Sequence, residues 1–263
     1  MLLRGTNIIR GFGLKKISIA GFMRAGCLLA LVSMLAACVS APPKQAYNRE
    51  ANTTIKRIDI LPMPNSEVGL DILNNPGYSF GLIGLAIAEA NMAPKRNWIE
   101  AQVRQGNFDH VAIFRERLTQ AMAAKGYELV WPTSILEDAK KPASRDKWGY
   151  RQSYAADANA EAQLDLAIRY VGYASAGSSD SAPYRPTVAL SAKLVSRDGK
   201  TALMVDQIIY NPVFPNSQSA ITINADPAYT YPEFNALQAS GAKALDGLRK
   251  ALESTADELA KQY

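Results

Sequence analysis

Few side chains in this sequence have the types and spacing that chemistry needs. His110 is the sole histidine, so any Ser–His–Asp arrangement would use it as the base. It follows Asp109 at the start of residues 109–125, whose pattern predicts a helix. A histidine in a first helical turn reads as a solvated or locally hydrogen-bonded surface residue. One histidine without a group of free thiols supplies no preferred zinc ligand set. Asp198 and Asp206 are carboxylates that acid–base work would need. Asp198, however, already has a role in the turn Arg197-Asp198-Gly199-Lys200, and Asp206 falls on a strand face expected to be solvated. Gly77-x-x-x-Gly81-x-x-Gly84 has the wrong order of spacings for a dinucleotide fingerprint, and no strand leads directly into it. With Phe80, Leu82 and Ile83 around them, these glycines predict close packing in a buried helix. The other reading is an apolar helix or loop used for oligomer contact or membrane insertion. No catalytic residue, metal ligand or cofactor is expected, and the residues point to a non-enzymatic protein.

The strongest chemical signal lies near the start of the chain. Residues 1–37 hold Arg4, Arg10, Lys15, Lys16 and Arg24 and no acidic residue, then an apolar run from Cys27 to Leu35. That run is about half the ~20 residues a membrane-spanning helix needs, and it ends on small residues, as a secretory signal does. Leu35-Ala36-Ala37-Cys38 resembles the lipobox of bacterial lipoproteins. The resemblance implies cleavage before Cys38, S-diacylglycerol and N-acyl lipid on that cysteine, and attachment to a membrane. Val39, in the position where aspartate marks inner-membrane retention in Gram-negative lipoproteins, implies the periplasmic face of the outer membrane. The basic segment is long, and Met23 would begin a compact signal, so translation is expected to start there or at Met1.

Cleavage changes the charge argument. Of 29 Lys and Arg, five fall in residues 1–37 against none of the 24 Asp and Glu, so the rest balances at 24 each. The net charge of +5 therefore belongs to the targeting segment, and a nucleic-acid partner is excluded on electrostatic grounds. Cys27 leaves with the signal and Cys38 is acylated, so no disulfide braces the mature domain. A hydrophobic core must hold it together, and the remaining length suffices for one domain.

The elements follow from periodicity. Residues 38–54 lack it and read as a lipidated flexible tether, which leaves 55–263 as the folded domain. Residues 55–62 and 68–73 read as strands, separated from the rest by an apolar, Gly-rich insertion at about 67–106 whose first helix should end at Pro94. Val111, Phe114, Leu118 and Met122 make one helical face, with Asp109 as N-cap and Gly126 as stop. Residues 127–131 form a strand, and polar residues 133–160 allow only short helices. Leu164, Leu166, Ile168 and Tyr170 alternate as a strand with one buried face. The Asp198-Gly199 turn then joins two more strands, and a long helix runs from about Pro232 to Lys261. Tyr210, Tyr229 and Tyr231 cover a sheet edge or line a partner groove. The class is α/β: a single mixed sheet with packed helices, a nucleotide-binding-like βαβ start, a β-meander and a long C-terminal helix.

Ile58-Asp59-Ile60-Leu61-Pro62, the helix and strand from Phe114 to Trp131, the Asp-Gly hairpin and the final helix together resemble a superfamily of periplasmic lipoproteins. It includes the curli secretion-channel lipoprotein and the outer-membrane activators of penicillin-binding proteins. The resemblance implies an accessory or assembly lipoprotein that binds or regulates another cell-envelope component. A self-assembling ring or secretion-channel subunit is the alternative it leaves open, and a hydrolase of envelope polymers is a third. The insertion at 67–106 departs from the simplest members. The candidate contact residues are Gly77, Phe80, Gly81, Leu82, Ile83 and Gly84, and the partner is another envelope protein or a second copy.

Overall fold

A computed structural model of the chain describes residues 42–79, 81–177, 182–214 and 219–263. The signal segment, its Leu35-Ala36-Ala37-Cys38 end, Val39 and Phe80 lie outside the described residues. Among those described, the fold is α/β, one mixed sheet of seven strands with four α-helices.

Strand β4 (Ala162–Ser175) organises the sheet. Its first residues pair in parallel with β1 (Arg57–Ile60), and its last five pair in parallel with β2 (Val68–Ile72). Thus β1 and β2 lie end to end along one edge of β4. Its other edge carries the antiparallel meander β5 (Arg185–Ser196) and β6 (Ala202–Tyr210). Strand β3 (Glu128–Val130) flanks β1, and β7 (Ile221–Ile223) flanks β6, both in parallel. The final order is β3-β1-β4-β5-β6-β7, with β2 off this path. Ile58 and Ile60, Leu164, Leu166 and Ile168, and Leu190, Ala192 and Leu194 alternate into the core, as the period-2 pattern demands.

Helix α1 spans Gly81–Gln105, α2 His110–Ala123, α3 Phe234–Ser240 and α4 Ala242–Lys261. Asp109 caps α2 by accepting from the Ala112 N–H at 2.9 Å, and Gly126 adopts the left-handed φ of 81° that ends the helical region. Helices α2 and α4 pack on each other, and α4 packs on β5 and β6.

Four expectations are corrected. Helix α1 runs through Pro94 instead of ending there. The proline lies on the exposed side, where water can serve the carbonyl whose hydrogen bond its missing N–H removes. The expected single C-terminal helix is broken at Gly241, whose φ of 55° and ψ of −124° suit a residue without Cβ and separate α3 from α4. Strand β4 is buried on both faces, not one. The reason is the fourth correction: residues 133–160 form no helix but a strap laid over the polar face of the sheet. Its tip is the turn between Arg145 and Arg151, tied by Asp146 Oδ1, which accepts from the Trp148 and Tyr150 N–H groups. Ser191 Oγ on β5 then donates to the Trp148 carbonyl at 2.6 Å, and the Tyr150 hydroxyl donates to the Asp206 carbonyl at 3.0 Å.

The segment expected to be a free tether is docked from Gln45 onward. Gln45 exchanges backbone hydrogen bonds of 2.8 and 2.9 Å with Val205, and the Tyr47 ring lies 5.1 Å from that of Tyr263. With β7 this covers much of the outer edge of β6, which would otherwise invite pairing with another chain.

Candidate functional site

The first half of α1 carries no charge before Glu89, and its residues are sorted by size. Gly84, Ala88 and Met92, spaced four apart, make the buried stripe. Leu82 and Ile83 are 86% and 78% exposed, and Leu85 and Ile87 are 43% and 58% exposed. These four are the exposed large hydrophobics among the described residues. The expectation of a wholly buried helix is therefore wrong on this outer side. Gly84 itself is buried on the inner side. Gly81 opens the helix with φ 65° and has open space where a Cβ would stand, so backbone conformation is its role. Gly77 lies in the 3₁₀ turn Pro76–Ser79 just before it.

What fixes this helix is farther along it. Arg96 binds Asp71 of β2 at 3.1 Å and Glu89 at 2.7 Å. Lys95 donates to the Tyr184 hydroxyl at 3.2 Å, and Trp98 meets Phe234 edge-on at 5.7 Å. At 1.5 Å per residue, Leu82 and Ile83 stand about 20 Å along the axis from Arg96. A rigid second half thus holds out an apolar first half. Contiguous apolar side chains in water mark a contact surface more often than they mark stability. No helix among the described residues is long and apolar enough to cross a membrane.

His110 is not a free surface side chain. Its Nε2 lies 3.0 Å from Ser66 Oγ, across an open cleft of about 490 Å³ lined also by Glu67, Glu100 and Arg104. Burial lowers its pKa, opposed by the Asp109 charge and by a hydrogen bond to the Ser66 backbone, so the ring favours its neutral form. A neutral imidazole beside a serine can accept its proton. The Asp109 carboxylate, however, is engaged in capping α2, and Glu100 faces Arg104 at 3.8 Å. Ser66 carries no sequence signal of its own, and only the fold brings it to His110.

The strap and β4 share a cluster of buried charges. Glu137 Oε1 accepts from both Arg145 and Arg151 at 2.7 Å, and Asp165 Oδ1 lies 3.0 Å from Arg145 and 3.4 Å from Arg151. Asp165 Oδ2 accepts from the Arg151 N–H and the Tyr154 hydroxyl. Two arginines against two carboxylates cancel, so the cluster clamps the strap and offers no net charge to a ligand. Asp165 alternates with Leu164 and Leu166 along β4, so it falls on the face that the strap covers.

Asp198 and Asp206 are not brought together for catalysis. Asp198 accepts from the Lys200 N–H and bonds the Ser196 hydroxyl, as its turn requires. Asp206 is 2% exposed, not solvated, because directly opposed strand residues share a face and its partner is the core residue Ala192. Tyr210 and Tyr231 are buried, the latter against Tyr173 at 5.8 Å, so these tyrosines build the core and do not line a groove. No protein-family model matches the chain, and no curated protein does.

Proposed function

We propose that this protein is a lipid-anchored accessory or assembly lipoprotein of the outer membrane, facing the periplasm, which binds another envelope protein through the apolar start of α1. The observation that carries the binding role is the outward row Leu82, Ile83, Leu85 and Ile87 on a helix whose other half is pinned to the domain. The lipobox-like Leu35-Ala36-Ala37-Cys38 supports the anchor.

The row is tested with Leu82→Glu and Ile83→Glu, singly and together. Both side chains are largely in water already, so thermal stability should stay within about 0.5 kcal/mol of the parent. Recovery of the partner from crosslinked envelopes should fall at least tenfold, since a buried unpaired carboxylate costs more than about 1.4 kcal/mol. Unchanged recovery with the double variant would overturn the role of α1. The anchor is tested separately: Cys38→Ala should abolish acyl labelling, and persistent labelling would contradict it.

A second reading keeps the same surface but makes the partner another copy of this chain, as in a ring or channel subunit. Light scattering on the detergent-extracted lipidated protein separates the two. A large uniform homo-oligomer that Ile83→Glu dissolves supports self-assembly, and a monomer or a complex with a second protein supports the accessory role.

A further inference from the structure

We propose that residues 45–54 form a latch which sets how far the domain stands from its anchor, and that ionisation of Asp206 opens it. The consequence for reach rests on the lipid anchor proposed above, whereas the latch itself rests on the geometry of the domain.

The latch is held by few bonds. Gln45 makes a single antiparallel bridge with Val205, reinforced by its side-chain amide, which donates to the Ala202 carbonyl at 2.7 Å. Tyr47 lays its ring against Tyr263 and Tyr127, with centroids 5.1 and 6.5 Å away. Between these contacts and β1 the segment mostly bonds itself: Asn48 accepts from the Ala51 N–H, and the Asn52 amide donates to the Asn48 carbonyl. One longer bond of 3.4 Å joins Arg49 to the Lys125 carbonyl. A bridge of one residue lacks the cooperativity of a strand ladder, so it can open without unfolding the sheet.

Directly after the bridged Val205 sits a carboxylate that the core does not satisfy. Asp206 shares the inner face of β6 with Met204 and Ile208, both fully buried. Its Oδ1 has no hydrogen-bond partner, and neither has the buried Tyr263 hydroxyl. The titratable groups that act on this corner are Lys44 just before the segment, Tyr47, Tyr127, Tyr150 of the strap and Tyr263 after α4. Four of these are phenols, and Lys44 is exposed. An ionised Asp206 is therefore poorly compensated while the latch is closed, and opening admits water to it.

The sign follows from this. Burial raises the Asp206 pKa, with Lys44 opposing. The closed form is favoured in acid, where the group is neutral, and loses that advantage as pH rises through the raised value. From Cys38 to Gln45 an extended chain spans about 25 Å, and from Cys38 to Ile55 about 60 Å. Release of residues 45–54 would thus more than double the distance at which the apolar row of α1 can find a partner.

The test is hydrogen–deuterium exchange on the full chain extracted in mild detergent, expressed as protection factors so that the intrinsic pH dependence of exchange is removed. Between pH 4 and pH 7 the Gln45 amide and its neighbours should lose about tenfold protection, while β5 stays unchanged. Asp206→Asn should remove that dependence and leave the segment protected at pH 7. Tyr47→Ala, which removes the ring contacts with Tyr263 and Tyr127, should lower protection at both pH values. Equal protection of residues 45–54 at both pH values in the parent protein would overturn the latch, as would an Asp206→Asn effect that spreads equally to β5. The readout needs no acyl chain. A pH-dependent latch in a protein that takes no acyl label retires the anchor alone, and a pH-independent latch in an acylated protein retires this inference alone.

Discussion

Replacing Asp165 by alanine should destabilise the domain by about 3–5 kcal/mol, the usual cost of removing one partner from a buried ion pair. Its carboxylate is 1% exposed and joins β4 to Arg145, Arg151 and Tyr154 of the strap. Without it two guanidinium groups, 12% and 18% exposed, keep Glu137 as their one shared carboxylate, beside the Gly149 and Pro62 carbonyls. Both already leave an Nε buried without a hydrogen bond, so the cluster has no spare acceptor to offer them. Asp165→Asn keeps an oxygen for the Arg151 N–H or the Tyr154 hydroxyl and should cost less than alanine. Urea unfolding followed by circular dichroism measures both. Near-parental midpoints would mean that the strap stays seated without its charges. Residues 144–151 should also become the first protease-sensitive site of the Asp165→Ala protein, since their hold on the sheet depends on this carboxylate.

Gly172→Ala should be nearly as damaging, for a steric reason. In the pairing of β2 with β4, Gly172 lies opposite Gly69, and a Cβ at 172 would stand 2.0 Å from the Gly69 carbonyl oxygen. Backbone cannot yield as the end of a flexible side chain can, and φ at Gly172 is 157°, beyond the usual range for L residues. Strand β2 must move or leave, at about 3 kcal/mol, and α1 goes with it because Arg96 is pinned to Asp71. The same urea experiment checks this, and the two variants differ in what is lost locally. Asp165→Ala frees the strap, whereas Gly172→Ala frees β2 and the start of α1. Partner binding should therefore fall in the second variant at temperatures where both remain folded.

The parts of this fold that the sequence disclosed are those governed by neighbours a few residues apart. Asp109 as a cap, Gly126 as a stop, the Asp198-Gly199 turn and the alternation of Leu164, Leu166 and Ile168 all work through local backbone chemistry. What stayed hidden depends on distant partners. Asp165 and Asp206 occupy similar places in alternating strands, yet one is buried under a strap whose contacts come from 11 or more residues away and the other turns into the helical face. The register that decides this is set across β4, β5 and β6. Pro94 and Gly241 obeyed packing over local preference: the first is tolerated on a wet helix side, and the second breaks a stripe that looked continuous. The candidate surface was half legible. Absence of charge from Gly77 to Ala88 announced an unusual helix, but only the fold shows that Gly84 and Ala88 face inward while Leu82 and Ile83 face water. One missed signal was available, since a lone glycine within the strand pattern at 172 marks a close backbone approach.

Binding of an envelope protein by α1 is tested by photocrosslinking in intact cells with a photoreactive residue at Ile83. Lys250, exposed on α4, serves as the control position. The account predicts a discrete adduct at position 83, containing a second envelope protein, and none at 250. No adduct at 83, or the same diffuse adducts at both positions, would contradict it.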